Sequence, residues 1–537
     1  MLKTSLFAVL LFCATLVGAQ SWKTYPYHEE GTLIYFPQDE GRHPAEPTEW
    51  WYTNAFLTGS TTGKEYSVML SYFYYPAFGF DGFRIFNLAD ESAGLFYTET
   101  LPCVYPVMSQ DHLNIHAQVY QGGNEQWTTL QDGQGNLIPF EYQLNAQSES
   151  GSIDLIYTAL KRPLMINDSG FVYQGAEGYS YYYSLTSLDV EGTITLNGIT
   201  EPVTGNAWID RQYGTFNPSI GEQYEWFSLQ LSNGMDLNIW ELFTPQSSIP
   251  DTSTYRHFSI YVNDSTSRSS SDFTLERLQY IFMPDQEKCY SRQWRFVHDS
   301  IDLTFTTLHD NQEVMLPFRF YEGSLDVTGS VGSQTVTGVG FAELVHGYYH
   351  PEIELSESDK GLIQSGFYTI NWDLLNPDDG RPVYYDVEIS LNDSLSYETV
   401  AQYLTETSFI WDNSAIQPGT PFWVRIYGYS IDTTLHGMDS TDSPLITGIN
   451  RITTQESGIN ISVSPNPVRE HFIITSNTDL KKAEFKLYNN RGQLTMKAKN
   501  LSGRTHCLER GIIDNGLYFY TISMDKKIVA AGKLLMQ

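Results

Sequence analysis

The chain has 537 residues, of which 63 are acidic and 31 are lysine or arginine, so its formal net charge is −32. A chain of this length has room for several domains. A surface this acidic repels nucleic acids and anionic lipids, which argues against a nucleic-acid or membrane-surface partner.

The N-terminus predicts a secretory signal peptide at residues 1–19. Lys3 precedes an apolar run at residues 6–17, and the run ends on Gly18 and Ala19. A positive start, a short apolar core and small residues before the cleavage point are typical of such signals. No later segment approaches the ~18 consecutive apolar residues that a spanning helix needs. We therefore expect an extracellular mature protein without a transmembrane segment.

Most of the mature sequence alternates between apolar and polar residues, with turns such as Asn197-Gly198 and Asn233-Gly234 between the runs. This alternation, together with many tyrosines, is typical of β-strands. Only residues 272–283 are compatible with a short helix. The sequence therefore predicts an all-β fold.

An internal duplication covers the first two thirds of the chain. Residues 49–51 (Glu-Trp-Trp) open one region and residues 225–227 (Glu-Trp-Phe) open a second, each before an apolar strand and a glycine turn. The closing segments, residues 203–214 and 336–347, also match, and both begin with Val-Thr-Gly. Opening and closing strands therefore recur in the same order.

The duplication predicts two related β-barrels in tandem, at residues 45–218 and 219–355. A closed sheet has no exposed edge and can enclose a pocket. After an acidic linker, residues 361–448 carry an early tryptophan, Trp372, and a late alternating strand at residues 422–427. This arrangement resembles a fibronectin type III sandwich, which usually acts as a spacer or docking unit.

The last segment, residues 461–537, carries Ser-Pro-Asn-Pro at residues 464–467, Gly-Leu-Tyr at residues 516–518 and a basic-apolar final strand. It resembles the C-terminal sorting domain of type IX secretion substrates. The resemblance implies that the outer-membrane type IX machinery is a partner. It also implies that the protein is secreted or displayed on the cell surface, and the sequence leaves release and anchoring both open.

The duplicated region as a whole resembles the family that groups the carotenoid 1,2-hydratases with the AttH-like proteins. The matching segments are residues 49–52, 179–184, 203–205, 208–214 and 225–226. The resemblance implies two lipocalin-like barrels, a pocket for an apolar small molecule and chemistry without a cofactor. The predicted fold class is therefore all-β, with two lipocalin-like β-barrels in tandem followed by two small β-sandwich domains.

Adding water to an isolated alkene requires a proton donor in a dry pocket, and a buried neutral carboxylic acid is suitable. Asp210 is the candidate donor, and Tyr213 is the second candidate catalytic residue. Aromatic faces stabilise the carbocation by ~0.5–2 kcal/mol each. The candidate ligand-binding residues are Trp208, Tyr181, Tyr183, Trp51 and Trp226.

Two departures from the family pattern leave the reaction open. The hydratases carry His-x-Trp where this chain has Tyr181 and Tyr183, and Tyr-x-Asp where it has Trp208 and Asp210. Loss of the histidine puts hydration in doubt, so acid-catalysed isomerisation and cyclisation remain open. The alternative to an enzyme is a non-catalytic extracellular lipid-binding protein or a surface-structural protein.

Several acids also have a purely structural interpretation. Asp210 has a counterpart, Glu343, in the second repeat, so either acid could pair with a base such as Arg211 or cap a barrel end. Glu49 and Glu225 are repeated in the same way, and we interpret them as structural.

Metal and disulfide sites have little support in the sequence. His112 and His116 share a strand face, but no third ligand stands at a supportive spacing, so we expect no metal and no cofactor. A bridge between Cys103 and Cys289 is compatible with the sequence, although nothing in their spacing requires it.

Overall fold

The computed structural model describes residues 21–216, 220–315, 319–356, 362–363, 366–391, 394–447, 459–489 and 492–537. The predicted signal peptide lies outside the described residues. Within these ranges the regular structure is β-strand, apart from one 3₁₀ turn at Gln38–Glu40. None of the described helical structure is long and apolar enough to cross a membrane. The all-β prediction is confirmed.

The first repeat forms a closed barrel of ten strands. Its ladder runs β10-β9-β8-β7-β6-β5-β4-β3-β14-β13, and pairing of β10 with β13 closes it. The elements up to this point are β1 (Tyr27–His28), β2 (Tyr35–Phe36), β3 (Thr48–Gly59), β4 (Glu65–Ala77), β5 (Phe80–Asp90), β6 (Leu95–Met108), β7 (Asn114–Val119), β8 (Asn124–Gln131), β9 (Leu137–Gln147), β10 (Gly151–Ala159), β11 (Leu164–Met165), β12 (Phe171–Gln174), β13 (Gly178–Leu196) and β14 (Ile199–Gly214).

The second repeat forms a ten-stranded sheet around its own apolar core, which includes Phe227, Phe258 and Phe305. Its strands are β15 (Gln223–Leu231), β16 (Asp236–Phe243), β17 (Arg256–Asn263), β18 (Thr266–Ser270), β19 (Thr274–Phe282), β20 (Cys289–His298), β21 (Ile301–Thr307), β22 (Glu313–Met315), β23 (Arg319–Val331) and β24 (Gln334–Leu344). The ladder runs β18-β17-β16-β15-β24-β23-β21-β20-β19, and β22 pairs with β23. Across the described strands this second barrel stays open between β18 and β19.

The chain divides into two compact units. The first holds both barrels with the segments Leu374–Tyr384 and Gly428–Gly437, and the second holds the rest of the chain after Glu352. The later strands are β25 (Ile353–Leu355), β26 (Leu362–Ile363), β27 (Phe367–Leu374), β28 (Tyr384–Ser390), β29 (Glu398–Leu404), β30 (Ser408–Asp412), β31 (Pro421–Tyr429), β32 (His436–Ser440), β33 (Leu445–Thr447), β34 (Ile461–Ser464), β35 (His471–Tyr488), β36 (Leu494–Glu509), β37 (Gly516–Met524) and β38 (Lys527–Met536).

Strands β25 to β33 form a three-stranded and a six-stranded sheet. Strands β34 to β38 form a separate five-stranded sheet with its own core. The two ends of the predicted fibronectin-like module, residues 361 and 448, lie outside the described residues. Its bounds therefore stay a prediction.

The helix predicted at residues 272–283 is wrong. Most of this segment forms β19 (Thr274–Phe282), which pairs antiparallel with β20. The ladder shifts register on both sides of Gln279. Such a bulge breaks the period of two and moves the buried positions to a spacing that imitates a helix.

The bridge considered between Cys103 and Cys289 does not form. Both thiols are free and buried, and they lie on β6 and β20, in different sheets. Burial raises the pKa of each thiol to about 12, so both stay protonated and unreactive near neutral pH.

Each barrel buries one repeated glutamate against an arginine. Arg211 Nη2 lies 2.5 Å from Glu49 Oε2 in the first barrel, and Arg277 Nη2 lies 2.7 Å from Glu225 Oε2 in the second. Arg211 therefore pairs with Glu49 and not with its neighbour Asp210, because adjacent strand residues point to opposite faces. These ion pairs agree with the structural interpretation of Glu49 and Glu225.

Replacing Arg277 by methionine leaves Glu225 buried without its cation. An unpaired buried charge costs about 3–5 kcal/mol, so we expect a clearly lower unfolding temperature by calorimetry. The matched control Arg295→Met breaks an exposed pair with Asp302 and is expected to change that temperature little. Equal effects of the two substitutions would contradict the importance of the buried pair.

Candidate functional site

The two barrels bury apolar surface against each other through the outer faces of their sheets. This layer is a cluster separate from the cores inside the barrels. It includes Tyr52 and Tyr182 from the first barrel and Trp226, Trp240 and Phe341 from the second. The duplication therefore creates a second hydrophobic environment, in addition to the two barrel interiors.

A pocket opens within this layer, with an empty volume of about 490 Å³ that includes space open to solvent. Eight of its eleven lining residues are aromatic, and the other three are Asp210, Glu343 and Gln212. Among the described residues, no lysine, arginine or histidine lines it. The aromatic residues are Trp50, Tyr52, Phe73, Tyr182, Phe216, Tyr224, Trp226 and Trp240.

Asp210 lies on β14 with its side chain in the pocket wall. Its Oδ1 accepts hydrogen bonds from Ser184 Oγ and Trp208 Nε1, both at 2.6 Å, and its Oδ2 accepts one from the Tyr182 hydroxyl. Burial raises the pKa of the Asp210 carboxyl to about 6, although the three hydrogen bonds oppose this rise. Asp210 can therefore hold or release a proton near neutral pH.

Tyr182 links this acid to the second barrel. While its hydroxyl donates to Asp210, it accepts hydrogen bonds from Trp226 Nε1 at 2.9 Å and from Asn238 Nδ2 at 2.6 Å. The phenol oxygen thus has one donated and two accepted hydrogen bonds. This network fixes the position of Tyr182 and, through it, one oxygen of Asp210.

Two further acids, the buried Glu322 and the half-buried Glu343, face this layer from the second barrel. Glu343 and Glu322 are cross-strand partners on β24 and β23. The Tyr224 hydroxyl donates to Glu343 Oε1 at 2.5 Å, and the Tyr52 hydroxyl donates to Glu322 Oε1 at 2.7 Å. The second oxygen of Glu322 has no hydrogen-bond partner among the described residues.

Burial is the main cause that raises the pKa values of both glutamates. The pKa of Glu343 rises to about 7, with a further contribution from the charge of Asp210. The pKa of Glu322 rises well above its ordinary value, because Glu343 adds repulsion to the effect of burial. In the described part of the chain, none of these three carboxyls forms an ion pair, so each is stabilised by protonation.

The structure divides the predicted site residues between two faces of one sheet. Asp210, Trp208 and Trp226 come together in the layer between the barrels. The other four, Trp51, Tyr181, Tyr183 and Tyr213, pack in or against the core of the first barrel.

Strand register explains this division. Asp210 lies opposite Ser184 on one side and Tyr52 on the other, whereas Arg211 lies opposite Tyr183 and Trp51. Directly opposed residues share a face, and the next residue along points to the other face. Tyr213 stacks on Tyr181 at a centroid distance of 5.1 Å, away from Asp210.

Sequence reasoning missed Tyr182, Tyr52, Asn238 and Glu322. Residues two apart on a strand share a face, so Gln212 lies on the same face of β14 as Asp210. Tyr182 is the cross-strand partner of Gln212, and this pairing would have selected it over Tyr181 and Tyr183. Asn238 and Glu322 carry no such signal, since their proximity depends on how the two barrels pack. His116 lies on β7 and His112 precedes it, and the described residues contain no group of three potential metal ligands.

Comparisons with known proteins agree with this architecture. The AttH-like family model matches residues 27–348. The model of the secretion system C-terminal sorting domain matches residues 462–537. No functionally curated protein sequence matches the chain.

Two crystal structures are similar to three fifths of the chain. A Nitrosomonas europaea protein described as an AttH has 21% identity and a TM-score of 0.51, and the match covers 60% of this chain and 99% of that one. Kievitone hydratase from Nectria haematococca has 16% identity and a TM-score of 0.48, covering 60% and 98%. At these identities the likeness to the Nitrosomonas protein shows a shared fold.

The sorting domain indicates a secreted or cell-surface protein that engages the type IX secretion machinery. The family model covers more than half of the sequence. The chain therefore belongs to the AttH-like family.

Proposed function

We propose that the pocket between the barrels binds an apolar unsaturated small molecule outside the cell, and that Asp210 protonates its double bond. The observation that carries this proposal is a buried, proton-holding carboxyl in the wall of a pocket lined by eight aromatic side chains. The family and the sorting domain support an extracellular binding protein, and the carboxyl of Asp210 supports acid catalysis in its pocket.

The first step forms a C–H bond and breaks the O–H bond of the acid and the π bond of the alkene. The π electrons of the alkene take the Asp210 proton, so a C–H bond forms and the O–H electrons stay on the carboxylate. The positive charge then lies on the more substituted carbon, where the ring faces of residues such as Trp50, Trp226 and Trp240 stabilise it. Attack by water, loss of another proton or attack by a second alkene gives hydration, isomerisation or cyclisation, respectively.

Three neighbours prepare Asp210 for this role. Ser184, Trp208 and Tyr182 fix the carboxyl in place, and their hydrogen bonds stabilise the carboxylate that remains after proton transfer. Burial acts in the opposite direction and keeps the proton available near neutral pH. No cofactor is required for this chemistry.

The second candidate function is binding without catalysis. It is favoured by the three hydrogen-bond donors that already occupy both oxygens of Asp210. It is also favoured by the positions of Tyr181 and Tyr183, which stand where the hydratases carry His-x-Trp and pack on the other face of the sheet. In that case the pocket holds or delivers a lipid-like molecule, or serves only to join the barrels of a surface protein.

Proton transfer to carbon is measurable in D₂O, because the protonation step then forms a C–D bond. The hydration, isomerisation and cyclisation products carry this deuterium. The mature protein is incubated in D₂O with farnesol, squalene and an apolar extract of its secreting host. We expect mass spectrometry to detect carbon-bound deuterium above the protein-free background. Asp210→Asn should reduce this incorporation by about 10²-fold or more while binding is retained.

The matched control for this assay is Asp189→Asn, an exposed carboxyl on β13 that should leave incorporation unchanged. Deuterium incorporation by Asp210→Asn at the wild-type rate would contradict the role of Asp210. Binding of a compound by both proteins without any incorporation would favour the non-catalytic function.

The same carboxyls predict how stability depends on pH. The folded protein binds protons more tightly at Asp210 and Glu343 than the unfolded chain does, since their pKa values rise to about 6 and about 7. This contribution is fully present below about pH 4 and is lost as the pH rises through those values. For Asp210 alone it corresponds to about 3 kcal/mol of unfolding free energy.

We therefore expect Asp210→Asn to gain stability relative to wild type as the pH rises from about 4 to about 8. Chemical denaturation at a series of pH values measures this difference. A constant difference across the range would show that the pKa of Asp210 is not raised.

A further inference from the structure

The pocket carries acidic groups without a cation. Asp210 and Glu343 line it from opposite barrels, and Glu322 lies beside Glu343 on the neighbouring strand. Several other buried acids near the barrel sheets have basic partners, such as Arg211 for Glu49 and Lys161 for Asp236. Glu40, in the first barrel, instead accepts hydrogen bonds from the hydroxyls of Tyr25 and Tyr142. Over the described residues, the pocket is the place where buried carboxyls from both barrels meet without a basic partner.

The walls around these acids suit a positive charge. Eight aromatic rings line the pocket, and a cation over the electron-rich face of such a ring gains about 0.5–2 kcal/mol once it is desolvated. Several rings are held rigidly, as in the edge contacts of Trp240 with Tyr182 at 6.1 Å and with Tyr224 at 5.9 Å. Aromatic cages with an adjacent carboxylate recognise alkylated ammonium groups by this combination.

Two hydrogen-bond donors also lack partners at the same place. Gln212 Nε2 and Trp240 Nε1 belong to pocket-lining residues that are 2% and 4% exposed, and neither atom has a hydrogen-bond partner among the described residues. Buried donors of this kind cost free energy unless an acceptor is supplied. A ligand oxygen in the pocket would satisfy them.

We propose that this pocket binds an organic cation that also carries an oxygen acceptor, of the kind found in a quaternary ammonium alcohol. The cationic head lies among the rings between Asp210 and Glu343, and the oxygen accepts hydrogen bonds from Gln212 and Trp240. The inference rests on the proposed function only in that the pocket is a ligand site, and it does not depend on catalysis at Asp210.

The titratable groups around the head determine the pH dependence of binding. Asp210 and Glu343, with pKa values of about 6 and about 7, ionise near neutral pH, whereas burial and the charge of Glu343 raise the pKa of Glu322 well above its ordinary value. The cation therefore binds more tightly as the pH rises and displaces protons when it binds. The remaining facing groups stay neutral in this range: burial raises the pKa values of Tyr52, Tyr182 and Tyr224 and lowers that of His257, which packs on Trp240, to about 4.

The test compares choline with its uncharged isostere 3,3-dimethylbutan-1-ol on the mature protein. Calorimetric titration near pH 8 in about 0.3 M NaCl suppresses loose binding to the acidic surface. We expect choline to bind at least about tenfold more tightly than the isostere and to lose this preference near pH 5. Repeating the titration near pH 6.5 in two buffers of different ionisation enthalpy should detect proton release.

A paired substitution locates the binding. Asp210→Asn with Glu343→Gln should remove the preference for choline, whereas Asp189→Asn with Glu191→Gln removes two exposed acids from β13 and should retain it. Circular dichroism confirms that both double variants fold. Single substitutions at Asp210 and Glu343 replace the double variant if it does not fold.

Equal affinity for the two compounds, or no binding of choline at millimolar concentration, would overturn the inference. So would a preference that survives the loss of both pocket carboxyls, since binding would then lie elsewhere. None of these results bears on deuterium incorporation into an alkene, so the inference and the proposed function fail separately.

Discussion

The site depends on one hydroxyl group. Tyr182 donates to Asp210 in its own barrel and accepts hydrogen bonds from Trp226 and Asn238 in the other. Without this three-way contact, the acid on β14 would face an apolar surface with no link to the second barrel. The contact couples the packing of the two barrels to the position and protonation of the carboxyl. The hydrogen bonds that connect the two barrels therefore also hold the candidate proton donor, Asp210.

The acids at the pocket have different partners from the repeated glutamates of the two barrels. Glu49 and Glu225 are buried but neutralised by Arg211 and Arg277. Asp210 and Glu322 are similarly buried and Glu343 is partly exposed, and all three have tyrosine hydroxyls as partners instead. Tyrosine can stabilise a carboxyl in either protonation state, whereas arginine favours only the ionised form. The pocket is thus a place where protons or a ligand's positive charge must balance the acids.

Sequence patterns were sufficient for the fold and for part of the site. Alternation and the repeated Glu-Trp and Val-Thr-Gly segments predicted the two barrels, and the terminal motifs predicted the sorting domain. Asp210 and Trp208 were found because they are two apart on one strand. Tyr181, Tyr183 and Tyr213 were assigned to the same pocket, although each is an odd number of positions away in the strand alternation from Asp210 or its partner Ser184 and so points to the other face. Glu322 and Asn238 were not predictable, because only the packing of one barrel on the other brings them to Asp210. The helix prediction failed for another reason, since the bulge at Gln279 breaks the two-residue alternation of β19.

The central claim is that the pocket between the barrels binds a small molecule. Native mass spectrometry of the mature protein purified from its secreting host, followed by organic extraction, measures this. We expect a mass above that of the chain, release of one small organic molecule per chain on extraction, and loss of this molecule when Trp226 and Trp240 are replaced by alanine. A mass equal to that of the chain alone, with no uptake from lipids, terpenoids or alkylammonium compounds, would contradict this claim.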